Sequence, residues 1–384
     1  MTTGKTAIIF GANGVSGSAA IRHLLSQHGW SRVIATSLRP VQYDYKDPED
    51  RLRFVSMDQT AESPSAVADK LRSVGGADVS LVLFYTYIAK DDEDELISVN
   101  QSLFQGGLDA IDLLAKGEVS FVLQTGYKRY NVHRGWTGGL SKIPYEEDSP
   151  RPPGKNFYFI QEDMLKEFCE KRSWQWNIVV PNFVLGVTKG NFMNLVVSLG
   201  IYASLRKALN EPLVWPGNSY SWNCVNDMSS AANNVHFATW VGTNPKAANQ
   251  VFNITDGGKP ARFEDLWPQF ASNTSSSAFG LESEVPFDSA TPPPTRGEIV
   301  PGVVLEDYLA DKKPVWNKLV KEHGLDPKSW DYATWPFLQF VLSRTWPDEG
   351  SNAKARSFGW DVTYDTLGEF EKGWEEMRTL RIIP

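Results

Sequence analysis

The sequence predicts an α/β protein: a doubly wound parallel sheet with a smaller, mainly helical C-terminal lobe. Three observations predict it. Residues 5–25 read KTAIIFGANGVSGSAAIRHLL, a short apolar run, three evenly spaced glycines and then a helical apolar pattern. Further apolar runs of strand length then alternate with helical patterns as far as residue 181, which is how parallel strands joined by helices read in sequence. Beyond Gly186 the pattern changes to mostly helical segments with long connections. The first part therefore reads as a Rossmann-type domain, residues 1–186. Residues 187–384 read mainly as a substrate-binding lobe, with 251–254 (VFNI) a candidate for returning to the sheet.

The opening segment carries the first candidate site. Residues 7–10 make a buried strand. Gly11 permits the tight turn out of it, Gly14 lets the backbone approach a pyrophosphate, and Gly17 lets helix and strand pack closely. The following helix offers free N–H groups and the positive end of its dipole to phosphates. Gly11, Asn13, Gly14, Val15 and Gly17 are thus candidate dinucleotide contacts. The second strand, 32–36 (RVIAT), ends without the acid that would bind a ribose 2′-hydroxyl and repel a 2′-phosphate. Ser37 can donate to a phosphate oxygen and Arg39 can pair with it. This favours NADPH over NADH.

The third strand, 53–57, leads to Asp58, a candidate contact for the adenine amino group. The fourth, 77–85, ends at Tyr85 and Thr86, on the edge where open parallel sheets bind ligands. A helix at 95–114 has an acidic approach, suited to the positive end of its dipole. The fifth strand, 120–125, ends at Thr125. A helix near 161–171 and a sixth strand, 176–180, closed by Pro181, complete the pattern. Residues 181–186 (PNFVLG) should line the nicotinamide face, which nominates Pro181, Phe183 and Val184. Helices are expected at 193–209, 315–323, 334–342 and 367–378, a turn at 215–218, and a Ser/Thr/Pro-rich strap at 272–301.

Composition bounds the rest. The 384 residues suit two domains at ~150 residues each. Hydrophobic and charged fractions of 41% and 22% fit a folded core. A net charge of −8 with no long basic run argues against a nucleic-acid surface. No apolar run approaches the ~20 residues that span a bilayer, and the first one is too short for a secretion signal and belongs to a strand. Cys169 and Cys224 with five histidines give no metal cluster and fit a reducing, cytoplasmic setting. Most of the aromatic residues are expected in the core. Tyr85, Phe183 and Tyr202 are expected in a pocket for an apolar substrate. A homodimer is left open.

Hydride transfer on such a fold needs an acid at the substrate oxygen, commonly a Tyr with a Lys four residues later on the same helix face. Tyr158 stands where that Tyr belongs, but four residues later comes Glu162. Lys128, just past the fifth strand, is placed to approach Tyr158 from another element and supply the missing charge. His133 follows in the same loop and reads as solvated. Glu162 and Asp163 read as structural residues of the helix's first turn, and Asn156 as its N-cap.

Thr125-Gly126-x-Lys128-x-Tyr130, taken with Asn156-Phe157-Tyr158-x-x-x-Glu162-Asp163, resembles the progesterone 5β-reductase/iridoid synthase-like (PRISE) family of atypical extended short-chain dehydrogenases/reductases. The likeness extends to the glycines, Arg39-Pro40, and residues 193–196, 314–316 and 382–384. It implies an NADPH-dependent enzyme that reduces activated C=C bonds of enones or enals by 1,4-addition, with Tyr158 and Lys128 as the catalytic pair and Tyr158 stabilising the enolate. A ketone reductase, or a cyclase or isomerase on a polyketide- or terpenoid-like intermediate, would use the same machinery. A non-catalytic NADP sensor would be expected to lose Tyr158 or Lys128. Three residues depart from the family pattern: Arg129 replaces its His, Phe159 its second Tyr, and Thr36-Ser37 the paired arginines of many members.

Overall fold

A computed structural model of the protein describes residues 4–272, 278–288, 293–295 and 297–384. Its centre is a seven-stranded parallel sheet. In chain order the elements of the first part are β1 (Lys5–Phe10), α1 (Val15–Ser26), β2 (Trp30–Ser37), β3 (Leu52–Ser56), α2 (Pro64–Ser73), β4 (Val79–Phe84), α3 (Glu93–Leu114), β5 (Ser120–Gln124), α4 (Phe157–Glu170) and β6 (Gln175–Pro181). Then follow β7 (Phe183–Leu185), α5 (Leu195–Ala208), β8 (Leu213–Val214), α6 (Ser219–Asn223), β9 (Met228–Ser230), α7 (Ala231–Thr243), β10 (Gln250–Ile254), α8 (Phe263–Ala271) and β11 (Ser283–Glu284). The chain closes with α9 (Leu305–Leu309), α10 (Lys313–His323), α11 (Trp335–Ser343), α12 (Ala353–Ser357) and α13 (Thr366–Thr379).

The strand order is β10-β6-β5-β4-β1-β2-β3. Continuous apolar strands form such a sheet because both faces are covered, and side chains alternate between two layers. Ile8 and Phe10, Val82 and Phe84, Phe121 and Leu123, and Ile178 and Val180 pack under α2, α3 and α4. Ala7 and Ile9, Leu81 and Leu83, Val122, and Val179 pack under α1 and α7. The chain order reverses between β1 and β4, opening a crevice at the carboxyl ends of those strands.

A third core lies in α5, α8, α10, α11 and α13. Trp215, Trp267, Trp316 and Trp374 are fully buried there, so these aromatics are structural. Tyr202 belongs to this core as well. Its hydroxyl donates to the Val214 carbonyl at 2.8 Å, so it is not a pocket residue as expected.

Two parts of the sequence reading change. Helix α7 was not expected, yet it crosses the sheet face beside α1, with Val235, Phe237, Ala238 and Val241 buried. Residues 251–254 do extend the sheet, as β10 paired parallel to β6. Within the expected strap, Ser283–Glu284 pairs with Leu213–Val214, while the central Pro292 lies outside the described residues.

Candidate functional site

The crevice between β1 and β4 opens into a cleft of about 390 Å³. Its floor is the Gly11–Gly14 turn. Gly11 has φ +84°, and a Cβ there would meet the Tyr85 and Thr86 backbone at 3.0 Å, so glycine is required. Gly14 starts α1 without a side-chain cap. The N–H groups of Val15, Ser16 and Gly17 have no acceptor among the described residues, as an anion-binding helix start requires.

Every nominated catalytic or cofactor residue lines the cleft except Gly17, Arg39 and Asp58. Gly17 acts through packing: a Cβ there would collide with the Gly11 carbonyl and lie 2.7 Å from the Ala12 Cα. Gly17→Ala should cost ~1–3 kcal/mol as overpacking and weaken NADPH binding. Thermal denaturation and a fluorescence titration with NADPH would measure the two effects.

Asp58 is tied into its own turn. Its carboxylate accepts from the Thr60 hydroxyl at 2.6 Å and the Thr60 N–H at 3.0 Å, and the Thr60 hydroxyl holds its pKa below the usual carboxylate range. The Arg39 side chain is exposed. Its carbonyl accepts from Asn13 Nδ2 at 2.7 Å and from the Ser37 hydroxyl at 2.6 Å. Asn13 also donates to Ser37 Oγ at 2.9 Å, so these residues lock the loop after β2 to the glycine turn.

The chemistry-bearing side chains come from three elements. Asn156 caps α4 by accepting from the Tyr158 N–H at 3.0 Å, while its Nδ2 donates to the Lys128 carbonyl at 2.7 Å. One N-cap thus joins the segment carrying Lys128 to the helix carrying Tyr158. The Tyr158 hydroxyl, near the Gly126 backbone, has no hydrogen-bond partner among the described residues. Burial first, and Tyr87 second, push its pKa up.

Lys128 and Tyr158 share the cleft, as their expected approach requires, and the ammonium's hydrogen bond goes to a third residue. Lys128 Nζ donates to the Tyr87 hydroxyl at 3.4 Å and lies 5.6 Å above that ring. Burial pulls the Lys128 pKa down, against the raising influence of Glu93.

Helix α4 begins at Phe157, which puts Glu162 in its second turn rather than its first. Glu162 is fully buried and accepts from Arg129 Nε at 2.9 Å, with Arg151 3.7 Å away. Asp163 receives a two-pronged bond from Arg151, at 2.8 and 2.5 Å.

Sequence reasoning missed several lining residues. Tyr87 stands two residues beyond Tyr85, and the period of an extended strand end was the signal for it. His133 lines the cleft from a run of short 3₁₀ turns. Its Nδ1 is buried without a partner among the described residues, and burial, with Lys128 and Arg134 nearby, lowers its pKa to about 4. Phe192 and Met193 form an apolar mouth with Phe183, Phe337 and Phe340. The Thr125 hydroxyl and the Tyr85 hydroxyl are buried without partners among the described residues. With the open N–H groups of α1, these orphan donors suit a bound dinucleotide.

Behind Asn182, which also lines the cleft, sits an acidic cluster. Asn182 Nδ2 donates to the Asp227 carbonyl and to Asp348 Oδ2. Burial raises the Asp227 pKa to about 7, against the Gly350 N–H it accepts and with Glu349, Asp348 and Asp256 adding to the rise. The folded chain therefore keeps a proton that the unfolded chain releases above ~3.9. Stability should fall as pH climbs from that value to about 7. Asp227→Asn should flatten this slope in urea denaturation across that range.

Both cysteines are free. Among the described residues no His/Cys/Asp/Glu group could hold a metal ion, and no helix is long and apolar enough to cross a membrane.

Comparison with known proteins places this geometry. The family model for a PRISE-like Rossmann-fold domain matches residues 7–384. The short chain dehydrogenase gsfE of Penicillium aethiopicum is 32% identical over 390 residues, covering 99% of each chain. The (S)-8-oxocitronellyl enol synthase of Antirrhinum majus is 28% identical, covering 99% of this chain and 93% of its own. Among solved structures, the UDP-glucose 4-epimerase of Thermus thermophilus in complex with NAD superposes with a TM-score of 0.60 at 15% identity. It covers 97% of this chain and 99% of its own. That likeness shows the fold.

Proposed function

The chain belongs to the PRISE-like Rossmann-fold family and is an oxidoreductase of the short-chain dehydrogenase/reductase superfamily; on that premise we propose that it reduces the activated C=C bond of an apolar enone or enal with NADPH. Residues 1–186 carry the dinucleotide and 187–384 contribute the substrate lobe. The observation that carries this reading is the Tyr158 hydroxyl, without a partner among the described residues, in a cleft whose mouth is Phe183, Phe192, Met193, Phe337 and Phe340.

The absence of an acid at the end of β2 favours the 2′-phosphate form of the cofactor, and Ser37, which lines the cleft there, would turn its hydroxyl from the Arg39 carbonyl to meet that phosphate. When bound, NADPH supplies the hydride. The chain's own residues do the rest. The open α1 N–H groups hold phosphate charge, and the aromatic mouth excludes water. Tyr158, kept protonated by burial, donates to the substrate oxygen as negative charge gathers on it. Relatives of this chain are named enol synthases, and an enol is what a conjugated carbonyl becomes when hydride reaches its β-carbon and a proton its oxygen.

The test is NADPH oxidation by the purified protein against a panel of enones, enals and matched saturated ketones. Oxidation with the conjugated compounds and none with the ketones is expected. Turnover of ketones alone would move the reaction to the C=O bond. NADPH binding without turnover of any compound would overturn the reductase reading in favour of a sensor.

A further inference from the structure

We propose that Tyr87 is a second oxyanion donor of this site, positioned by Lys128, so that the substrate's carbonyl oxygen is held between two phenols. The proposal rests on the reductase reading and deepens it.

The hydrogen-bond inventory points there. A phenol has one proton to give and lone pairs to receive. The Lys128 ammonium occupies a lone pair of the Tyr87 hydroxyl at 3.4 Å. That leaves the Tyr87 proton to be donated elsewhere, and no described residue accepts it. Several other partly buried phenols in this protein find protein acceptors. Tyr43 donates to the Val187 carbonyl at 3.1 Å, Tyr308 to Glu211 at 2.8 Å and Tyr332 to Asp326 at 2.9 Å. Among the described residues Tyr45, Tyr85, Tyr87 and Tyr158 have none; Tyr85, Tyr87 and Tyr158 line the cleft, and of these three it is Tyr87 that Lys128 bonds.

Their placement has a common support. Both rings pack on Phe157, with centroids at 5.6 Å for Tyr87 and 4.2 Å for Tyr158. Both rings rest on that one phenyl group and both line the same cleft. A negative oxygen arriving between them would take one hydrogen bond from each. The ammonium behind Tyr87 polarises its O–H bond and strengthens that donation. Lys128 then acts on the oxyanion chiefly through Tyr87.

The test uses para-nitrophenol as the oxyanion probe, with the full-length protein saturated with NADP⁺ and the bound phenolate read by its absorbance. Wild type should bind the phenolate. Tyr87→Phe and Tyr158→Phe should each weaken it by about tenfold to 100-fold, the value of one hydrogen bond to a charged group. NADP⁺ affinity should stay within about twofold for both, which shows that they fold. Lys128→Met should weaken binding in the wild-type background by about tenfold and add less than about twofold once Tyr87 is Phe, since the lysine acts through that hydroxyl.

Phenolate binding by Tyr87→Phe equal to wild type overturns the proposal, as does a wild type that fails to bind the probe. An equal effect of Lys128→Met in both backgrounds overturns the positioning role of the lysine. The assay needs no turnover. A protein that holds the phenolate between both phenols but reduces no enone loses the reductase reading and keeps the two-donor site; the converse result separates them the other way.

Discussion

Tyr158→Phe should lower kcat toward a conjugated enone by about 10²–10³-fold, the usual effect of removing one oxyanion donor, with KM changed by less than about threefold. The reason lies in what the hydroxyl does before and during the reaction. In the folded protein it has no described partner, so its loss breaks no internal bond and leaves packing intact; the ring stays against Phe157. What disappears is an interaction made only as charge builds on the substrate oxygen, and such a loss falls on kcat. The pH behaviour separates this from a role for the phenolate. Burial pushes the Tyr158 pKa up, so the hydroxyl remains a donor throughout the neutral range and kcat should show no titration of it there. A rate that rose with Tyr158 ionisation near neutral pH would contradict the donor role.

The frame around this site was legible in sequence because a few residues carry it. Gly11 and Gly17 read correctly: one sits at positive φ against the end of β4, and the other would strike the turn's backbone if it had a side chain. The strands of the sheet were legible because both of its faces are buried, which makes each strand a continuous apolar run. Helix α7 was not, although it covers the same face as α1. Its apolar residues surround it on most sides and the adjacent Asn233 and Asn234 break the stripe. Both asparagines are buried and hydrogen-bonded to distant residues, Asn233 to the Thr255 carbonyl and Asn234 to Gln124, so tertiary partners decide the helix and the local pattern does not.

The site shows the same division. Tyr158 and Lys128 were legible as residues, but where the ammonium points was not, since that depends on Tyr87 arriving from the segment after β4. His133 reads as a loop residue in sequence and becomes a cleft residue only because short turns after Lys128 fold it inward. Phe337 and Phe340, which complete the mouth, come from α11, more than half the chain away from the glycines they face.

Arg129→Met should destabilise the fold by about 3–5 kcal/mol, the cost of leaving a buried charge without its partner. Glu162 is wholly inaccessible to solvent, and Arg129 is nearly so. With Arg129 gone, the cation left to Glu162 is Arg151 at 3.7 Å, itself held by Asp163. Urea denaturation measures the loss directly. The double variant Arg129→Met with Glu162→Leu should recover most of it, because a matched apolar pair pays no desolvation cost. The catalytic readout should not recover in parallel. Arg129 directly follows Lys128, and Glu162 lies one helical turn beyond Tyr158 on α4. The ion pair therefore fixes how far apart the two elements stand, a distance that the Asn156 cap sets only at its other end. An apolar pair restores burial without a directional bond, and reacting groups displaced by an ångström lose rate steeply. A double variant with wild-type stability and kcat reduced by about tenfold or more is the expected result. Full recovery of both would mean that packing alone aligns Lys128, Tyr87 and Tyr158, and that the Arg129–Glu162 pair serves stability only.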